Sequence, residues 1–292
     1  MSGLSPIQKL LARHPCRNLD EQRQALRQIV QEIALLGLSR TDFFMRAAFY
    51  GGTALRIFHG LERFSEDLDF SLAEPDPVFR LDDYLDAVAA ELGSWGFVMQ
   101  VETKQKNAGS PIQSAFIKGG TLVHLVRIAS VVPPVSGVPE NELLKIKLEI
   151  DTDPPAGAGF EIGYRLEPIP FSVRLYDRPS LFAGKVHALL CRNWGQRVKG
   201  RDFFDFLWYL SNQTPVNAAH LAARLQQTGH RHEQAVVTRD ALVQLLEKRF
   251  REVDFAQARQ DVLPFIADTR VLDLWSADFF IAMTCQHLAV QP

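Results

Sequence analysis

The stretch Ala47-Ala48-Phe49-Tyr50-Gly51-Gly52-Thr53 constrains the fold more than any other part of the chain. Four apolar or aromatic residues suit a short strand, and the glycine pair lets the backbone turn sharply out of it. A short helix is expected over 54–61, and residues 67–72 alternate as a second strand does. The unit is therefore strand, glycine turn, helix, strand. In its second strand Asp67 and Asp69 stand at i and i+2, so both carboxylates share a face while Leu68, Phe70 and Leu72 turn to the core. Two like charges held that close favour a cation. Magnesium takes carboxylate oxygens, keeps several waters and bridges to phosphates. The glycine pair lets a phosphate approach the backbone, and the Thr53 hydroxyl adds a hydrogen-bonding group. The pattern points to magnesium-dependent phosphoryl or nucleotidyl transfer.

The rest of the chain extends this unit in both directions. An amphipathic helix is expected over 19–37 and a short one from about residue 40. A helix over 77–93 precedes strands over 97–104, 112–117, 121–129, 143–151 and 172–176. Beyond that point nearly every segment has helical spacing, with helices expected over 180–192, 200–211, 217–227, 239–250 and 276–288. Asp177 or Ser180 is the expected cap of the first of these, with Pro179 in its first turn. The reading is an α/β (α+β) fold: a mixed-sheet core followed by a helical C-terminal region. Its expected divisions are N-terminal helices at 1–44, an α/β core at 45–177 and a helical domain at 178–292.

The balance of 32 basic and 34 acidic residues over 292 positions gives no bulk positive field, so any nucleic-acid contact must come from a local patch. Three scattered cysteines fit neither a disulfide framework nor a zinc cluster, which suits a reducing cytoplasm. No apolar run approaches the roughly 18 residues of a membrane span, so neither secretion nor membrane insertion is expected.

Three further segments carry chemistry. In Lys145-Ile146-Lys147-Leu148-Glu149-Ile150-Asp151 strict alternation puts Lys145, Lys147, Glu149 and Asp151 on one face. Beside the strand of Asp67 and Asp69, Glu149 or else Asp151 supplies a third acid; a solvated face of an antiparallel sheet explains the same charges. Lys185 stands alone in the apolar helix around Leu181–Leu190, where it either reaches triphosphate oxygens or snorkels to water. Arg192, Arg197, Lys199 and Arg201 form a basic cluster before Asp202 and Asp205, which lie one helical turn apart. That cluster suits phosphate or a nucleic-acid backbone, or equally a solvated loop.

Taken together, Gly51-Gly52-Thr53-Ala54-Leu55, Arg63-Phe64-Ser65-Glu66-Asp67-Leu68-Asp69-Phe70, the lysine helix and Arg201-Asp202-Phe203-Phe204-Asp205 resemble the AbiEii/AbiGii toxin family over about residues 45–210. This family comprises nucleotidyltransferase-like proteins of bacterial toxin–antitoxin and phage-defence systems and includes the MenT toxins. The resemblance implies a polymerase-β-type nucleotidyltransferase fold that binds a nucleoside triphosphate with Mg2+. It implies transfer of a nucleotide to RNA, including the acceptor end of tRNA, with inhibition of translation, and a cognate antitoxin as partner. It further implies that Gly51, Gly52 and Thr53 hold phosphates and that Asp67 and Asp69 bind metal, with Glu149 or Asp151 as third ligand. Lys185 would contact the triphosphate and Asp202 would complete the catalytic set. Arg63, Ser65, Lys147 and Arg201 are the remaining phosphate-contact candidates. The family signature is often written with serine after the glycines and a shorter gap to the first aspartate; Thr53 keeps the hydroxyl.

Three other readings stand beside this one. The acceptor is a small molecule or a protein; the chain is a non-catalytic nucleotide- or RNA-binding module; or the carboxylates form a salt-bridge network with Arg63, Lys145 and Lys147.

Overall fold

A computed structural model describes residues 6–14, 16–103, 110–121, 124, 139–193, 197–230 and 237–292. The chain divides into two compact units: Met1–Thr53, Glu66–Pro154 and Ile162–Leu175 form unit one, and Ala54–Ser65, Pro155–Glu161 and Tyr176–Pro292 form unit two.

A mixed sheet of seven strands among the described residues organises unit one, with the start of its sixth strand and the last residue of its seventh assigned to unit two. In chain order these are β1 (Ala47–Tyr50), β2 (Leu68–Leu72), β3 (Gln100–Thr103), β4 (Ile112–Gly120), β5 (Leu143–Asp151), β6 (Phe160–Arg165) and β7 (Phe171–Tyr176). They lie side by side as β3-β4-β5-β2-β1-β7-β6. β1 and β2 are antiparallel, β2 and β5 parallel, and β5 and β4 antiparallel. The buried faces follow the alternation of the sequence, with Leu68, Phe70, Leu148 and Ile150 fully buried. Phe70 packs edge-on to Phe43 at 5.0 Å and beside Phe49 at 5.2 Å, so β1 and β2 share one aromatic core. Against this core lies the long helix Leu19–Ser39, capped by Asn18, whose side chain accepts from Glu21 N.

Several expected boundaries move for local reasons. The helix after the glycine pair runs Gly51–His59 and stops before Gly60, whose φ of +79° ends it. The helix expected over 77–93 is Asp82–Ser94, because a turn at Asp76 takes the preceding amides: Val78 N donates to Asp76 Oδ1 and Phe79 N to Asp76 O. Of the strand expected over 121–129, the described positions Thr121 and His124 are helical and the rest lies outside the described residues; the strand expected over 97–104 is Gln100–Thr103, with Lys104 outside the described residues. β6 and the helices Pro6–Leu11 and Phe255–Val262 go beyond the sequence reading.

Unit two is mostly helical. Arg178–Cys191 starts on Asp177, whose carboxylate accepts from Ser180 N at 2.9 Å, so Asp177 is the cap and Ser180 is buried. Gly200–Ser211, Ala218–Gln227, Arg239–Arg251, Phe255–Val262 and Ala277–His287 follow. Phe203, Phe206, Phe250, Trp275 and Phe280 make a continuous aromatic core, with Phe203 and Phe280 5.4 Å apart edge to face. Gly200 permits a close helix approach: a Cβ there would lie 1.8 Å from the backbone oxygen of Ala258.

Gly200→Ala is therefore expected to destabilise the chain by about 1–3 kcal/mol, the usual cost of overpacking. Chemical denaturation measures this; a midpoint unchanged from the parent would refute the close approach.

Candidate active site

In unit one the acidic residues meet through strand pairing. Leu68, Asp69, Phe70 and Ser71 of β2 lie opposite Leu148, Glu149, Ile150 and Asp151 of β5. Residues paired this way present side chains on the same face, so Asp69 and Glu149 are neighbours while their flanking residues fill the core. Asp151 lies two positions further along, opposite Ser71, and its Oδ1 accepts from Asp153 N at 3.0 Å. Of the two candidate third acids, Glu149 is therefore the one at the level of Asp69. Lys147, on the same face, forms an ion pair with Glu149 at 2.7 Å, and Ser114 of β4 donates to Glu149 at 3.1 Å. Lys147 is thus paired with one carboxylate of this face, whereas Lys145 stacks over Phe116 at 4.1 Å.

The glycine turn is fitted to this face. Gly51 has φ +82°, and a Cβ on it would fall 2.6 Å from Asp69 Oδ2. Only glycine both adopts that backbone and leaves the carboxylate its place. The Thr53 hydroxyl, expected at a phosphate, is instead fully buried and donates to the backbone oxygen of Asp67 at 2.5 Å. It ties the first turn of the helix to the start of the aspartate strand. Gly51 and Gly52 head a nine-residue helix, Gly51–His59, whose first amides have no intrahelical acceptor.

The donor set suits magnesium. Asp67, Asp69 and Glu149 offer hard carboxylate oxygens, and magnesium commonly takes one or two carboxylates with waters and substrate phosphates filling the remainder. Among the described residues, no three His, Cys, Asp or Glu side chains are grouped so as to hold a metal ion, so Asp67, Asp69 and Glu149 do not converge as one ligand set.

Unit two holds a second charged assembly. Asp205 is wholly buried and receives Arg63 Nε and Nη2 at 2.5 and 2.6 Å, a bidentate pair. Lys185 Nζ lies 2.7 Å from Asp202 and 2.8 Å from Asp205, and Arg192 forms an ion pair with the other oxygen of Asp202. Burial alone would raise the Asp205 carboxyl, but Arg63 and then Lys185 outweigh it and hold it below the ordinary carboxylate range. Burial likewise works against the Lys185 ammonium, and Asp202 and Asp205 outweigh it, so Lys185 stays charged. Its side chain keeps 16 % exposure. Arg63, expected at a phosphate, is only 3 % exposed, and its guanidinium is committed to Asp205 and to the Phe64 carbonyl. Asp205, not assigned a role from the sequence, is the centre of the assembly. Its signal was its place one helical turn from Asp202.

The basic cluster is likewise engaged within unit two. Arg197 pairs with Asp261 at 2.6 Å and Arg201 stacks over Phe265 at 4.1 Å. Ser65 is half-buried, directly after Phe64, whose amide donates to Phe265 O at 2.7 Å.

A model of the nucleotidyl transferase AbiEii toxin family, of type IV toxin–antitoxin systems, matches residues 33–282. No curated protein matches the chain. Among solved structures, MenT4, a nucleotidyltransferase toxin from Mycobacterium tuberculosis H37Rv, aligns over 98% of this chain and 100% of its own. Its identity is 17% and its TM-score 0.49. JHP933 from Helicobacter pylori aligns over 90% of each chain at 19% identity and a TM-score of 0.44.

Thr53→Val keeps the shape but leaves the Asp67 carbonyl without its buried donor, at an expected cost of about 1–3 kcal/mol, whereas Thr53→Ser retains most of the stability. Equal unfolding midpoints for the two variants would show that the hydroxyl has no such role. The Asp205 pair has a pH signature. Its folded-state pKa is depressed, so its stabilisation is complete above the unfolded carboxylate value of about 4 and is lost as pH falls through the lower folded value. Asp205→Asn is expected to be less stable at neutral pH by roughly 3–5 kcal/mol and to flatten this acid-side loss. Denaturation curves recorded from neutral to acid pH measure both.

Proposed function

The chain belongs to the nucleotidyl transferase AbiEii toxin family, and on that premise we propose that it transfers a nucleoside monophosphate from a triphosphate to an RNA hydroxyl in a Mg2+-dependent reaction. It is a nucleotidyltransferase of a toxin–antitoxin system; the metal, the acceptor and the consequence are the proposal. The acceptor proposed is the end of tRNA, with inhibited translation as outcome and phage defence as the setting. A cognate antitoxin is its partner and the cytoplasm its location. No described helix is long and apolar enough to cross a membrane.

The observation that supports this most directly is the β2–β5 pairing, which sets Asp69 beside Glu149 with Gly51 cleared in front of the Asp69 carboxylate. Asp67, Asp69 and Glu149 would hold the metal, and Asp151 is the reserve third ligand. A magnesium ion held there would lower the pKa of an attacking hydroxyl and neutralise charge at the phosphates. The acceptor oxygen bonds to the α-phosphorus, the bond to the bridging oxygen breaks, and pyrophosphate leaves with that electron pair. The hydroxyl proton passes to a carboxylate of the aspartate pair or to solvent. The free amides at Gly51 and Gly52 receive phosphate oxygens, favoured by the positive end of the helix dipole. Thr53 acts on the reaction by holding Asp67 in place. Lys147 is a cation of the β5 face, paired with Glu149, and is proposed as a phosphate contact. Lys185, fixed as an ammonium by Asp202 and Asp205, is proposed to meet the triphosphate, with Asp202 orienting it. Arg201 and Ser65 are proposed as further phosphate contacts, and Arg63 as the group that keeps Asp205 charged.

Incubation with each labelled triphosphate and separate pools of tRNA, protein and small molecules is expected to label tRNA. Label confined to protein or a small molecule would overturn the acceptor. Asp69→Asn is expected to lose on the order of 10²–10³-fold in transfer. It should also lose the rise in melting temperature that magnesium with a triphosphate gives the parent, since a ligand bound only to the folded state stabilises it. A parent whose melting temperature ignores magnesium would argue against the metal.

A further inference from the structure

β6, Phe160–Arg165, ends the sheet: β7 lies on one side of it and, among the described residues, no strand lies on the other. An edge strand offers backbone N–H and C=O groups to any further strand, and folded proteins usually guard such edges with outward charge, proline or a bulge. Here the alternate positions Phe160, Ile162 and Tyr164 are 40, 53 and 75 % exposed, and Leu166 just beyond is 75 % exposed. Side chains two apart share a face, so these four form an apolar stripe along the edge. The other face of the same strand carries Glu161, Gly163 and Arg165.

We propose that β6 pairs antiparallel with β6 of a second copy of this chain, about a two-fold axis at Gly163. In that register Ile162 faces Tyr164 of the second copy, Phe160 faces its Leu166, and Glu161 faces its Arg165. The symmetry makes each contact twice. Apolar and opposite-charge pairs directly across strands stabilise a sheet, and like charges there destabilise it. The sequence is self-complementary in this register and in neither neighbouring one of the same facing. Centring on Ile162 puts Glu161 opposite Gly163; centring on Tyr164 puts Glu161 opposite Glu167. A shift by one residue sets the apolar stripe against the charged face. Glu161 lies 3.4 Å from His59 Nε2, and Arg165 donates to Glu32 at 2.9 Å. Their side chains remain 41 and 29 % exposed, and carboxylate and guanidinium groups each make several hydrogen bonds, so both can add a contact across the axis. This charge complementarity favours a second copy over an unrelated strand.

Sedimentation of the full chain is expected to show a concentration-dependent species of twice the 32.9 kDa chain mass. Glu161→Arg alone and Arg165→Glu alone each place like charges across the axis and should raise the dimer dissociation constant at least about tenfold. An equimolar mixture of the two variants restores both ion pairs and should recover the dimer. Ile162→Lys with Tyr164→Lys changes only exposed side chains, keeps the fold by circular dichroism, and should leave a monomer even where the charge variants fold poorly. A parent that stays at 32.9 kDa overturns the proposal, as does a dimer that the Ile162 and Tyr164 changes leave intact. A dimer dissolved by those changes but indifferent to the charge swap overturns the register. Nucleotide transfer is read separately, so failure here leaves the activity untouched.

Discussion

The parallel pairing of β2 with β5 is the constraint on which the charged face of the sheet unit rests. Carboxylates side by side repel, so no local preference of either strand would set Asp69 against Glu149. The opposite faces do that. Leu68 with Leu148 and Phe70 with Ile150 are fully buried at adjacent register positions. A slip by one residue would send these groups to the charged face and the acids to the core. Burial of apolar area, at about 25 cal/mol per Å², thus fixes an electrostatic arrangement that is unfavourable in itself. Lys147 offsets part of the repulsion through its ion pair with Glu149.

The helical unit solves a different problem, a wholly buried carboxylate. Asp205 is tolerated because Arg63 meets it in a bidentate fork and Lys185 adds a third donor. Removing one member of such a set leaves the others charged and dry, which costs more than the set contributes intact. Its arrangement also explains why an arginine opens the Arg-Phe-Ser-Glu-Asp-Leu-Asp motif. The residue belongs to the support of the lysine and aspartate helices, and its conversion to lysine would lose the fork.

The sequence made the elements legible wherever a segment's own periodicity matched its burial. Leu143–Asp151 and Gly200–Ser211 have the bounds that alternation and a glycine break predict. The turn at Asp76 shortened a helix because its carboxylate competes for amides that apolar spacing alone assigns to the helix. β6 was not legible, since Gly163 interrupts it and both its faces carry some exposure, so it lacks the half-buried alternation that marks a strand. The roles of polar groups were least legible. Thr53 and Arg63 were expected at a phosphate, yet each is buried and spends donors on the protein itself.

By itself, the sequence determined which residues could share a face, where the chain must turn, and that two carboxylates follow a glycine turn at a distance suited to phosphate chemistry. Those are consequences of the two-residue period of a strand, the 3.6-residue period of a helix and the freedom of glycine, all local. Only the tertiary structure decided that Glu149 rather than Asp151 lies at the level of Asp69, that Gly51 faces a carboxylate, and that Asp205 anchors Arg63 and Lys185. Strand register and ion pairing join residues as far apart as Asp69 and Glu149 or Arg63 and Asp205, and which of several like residues meets which is set by the packing of the apolar faces behind them.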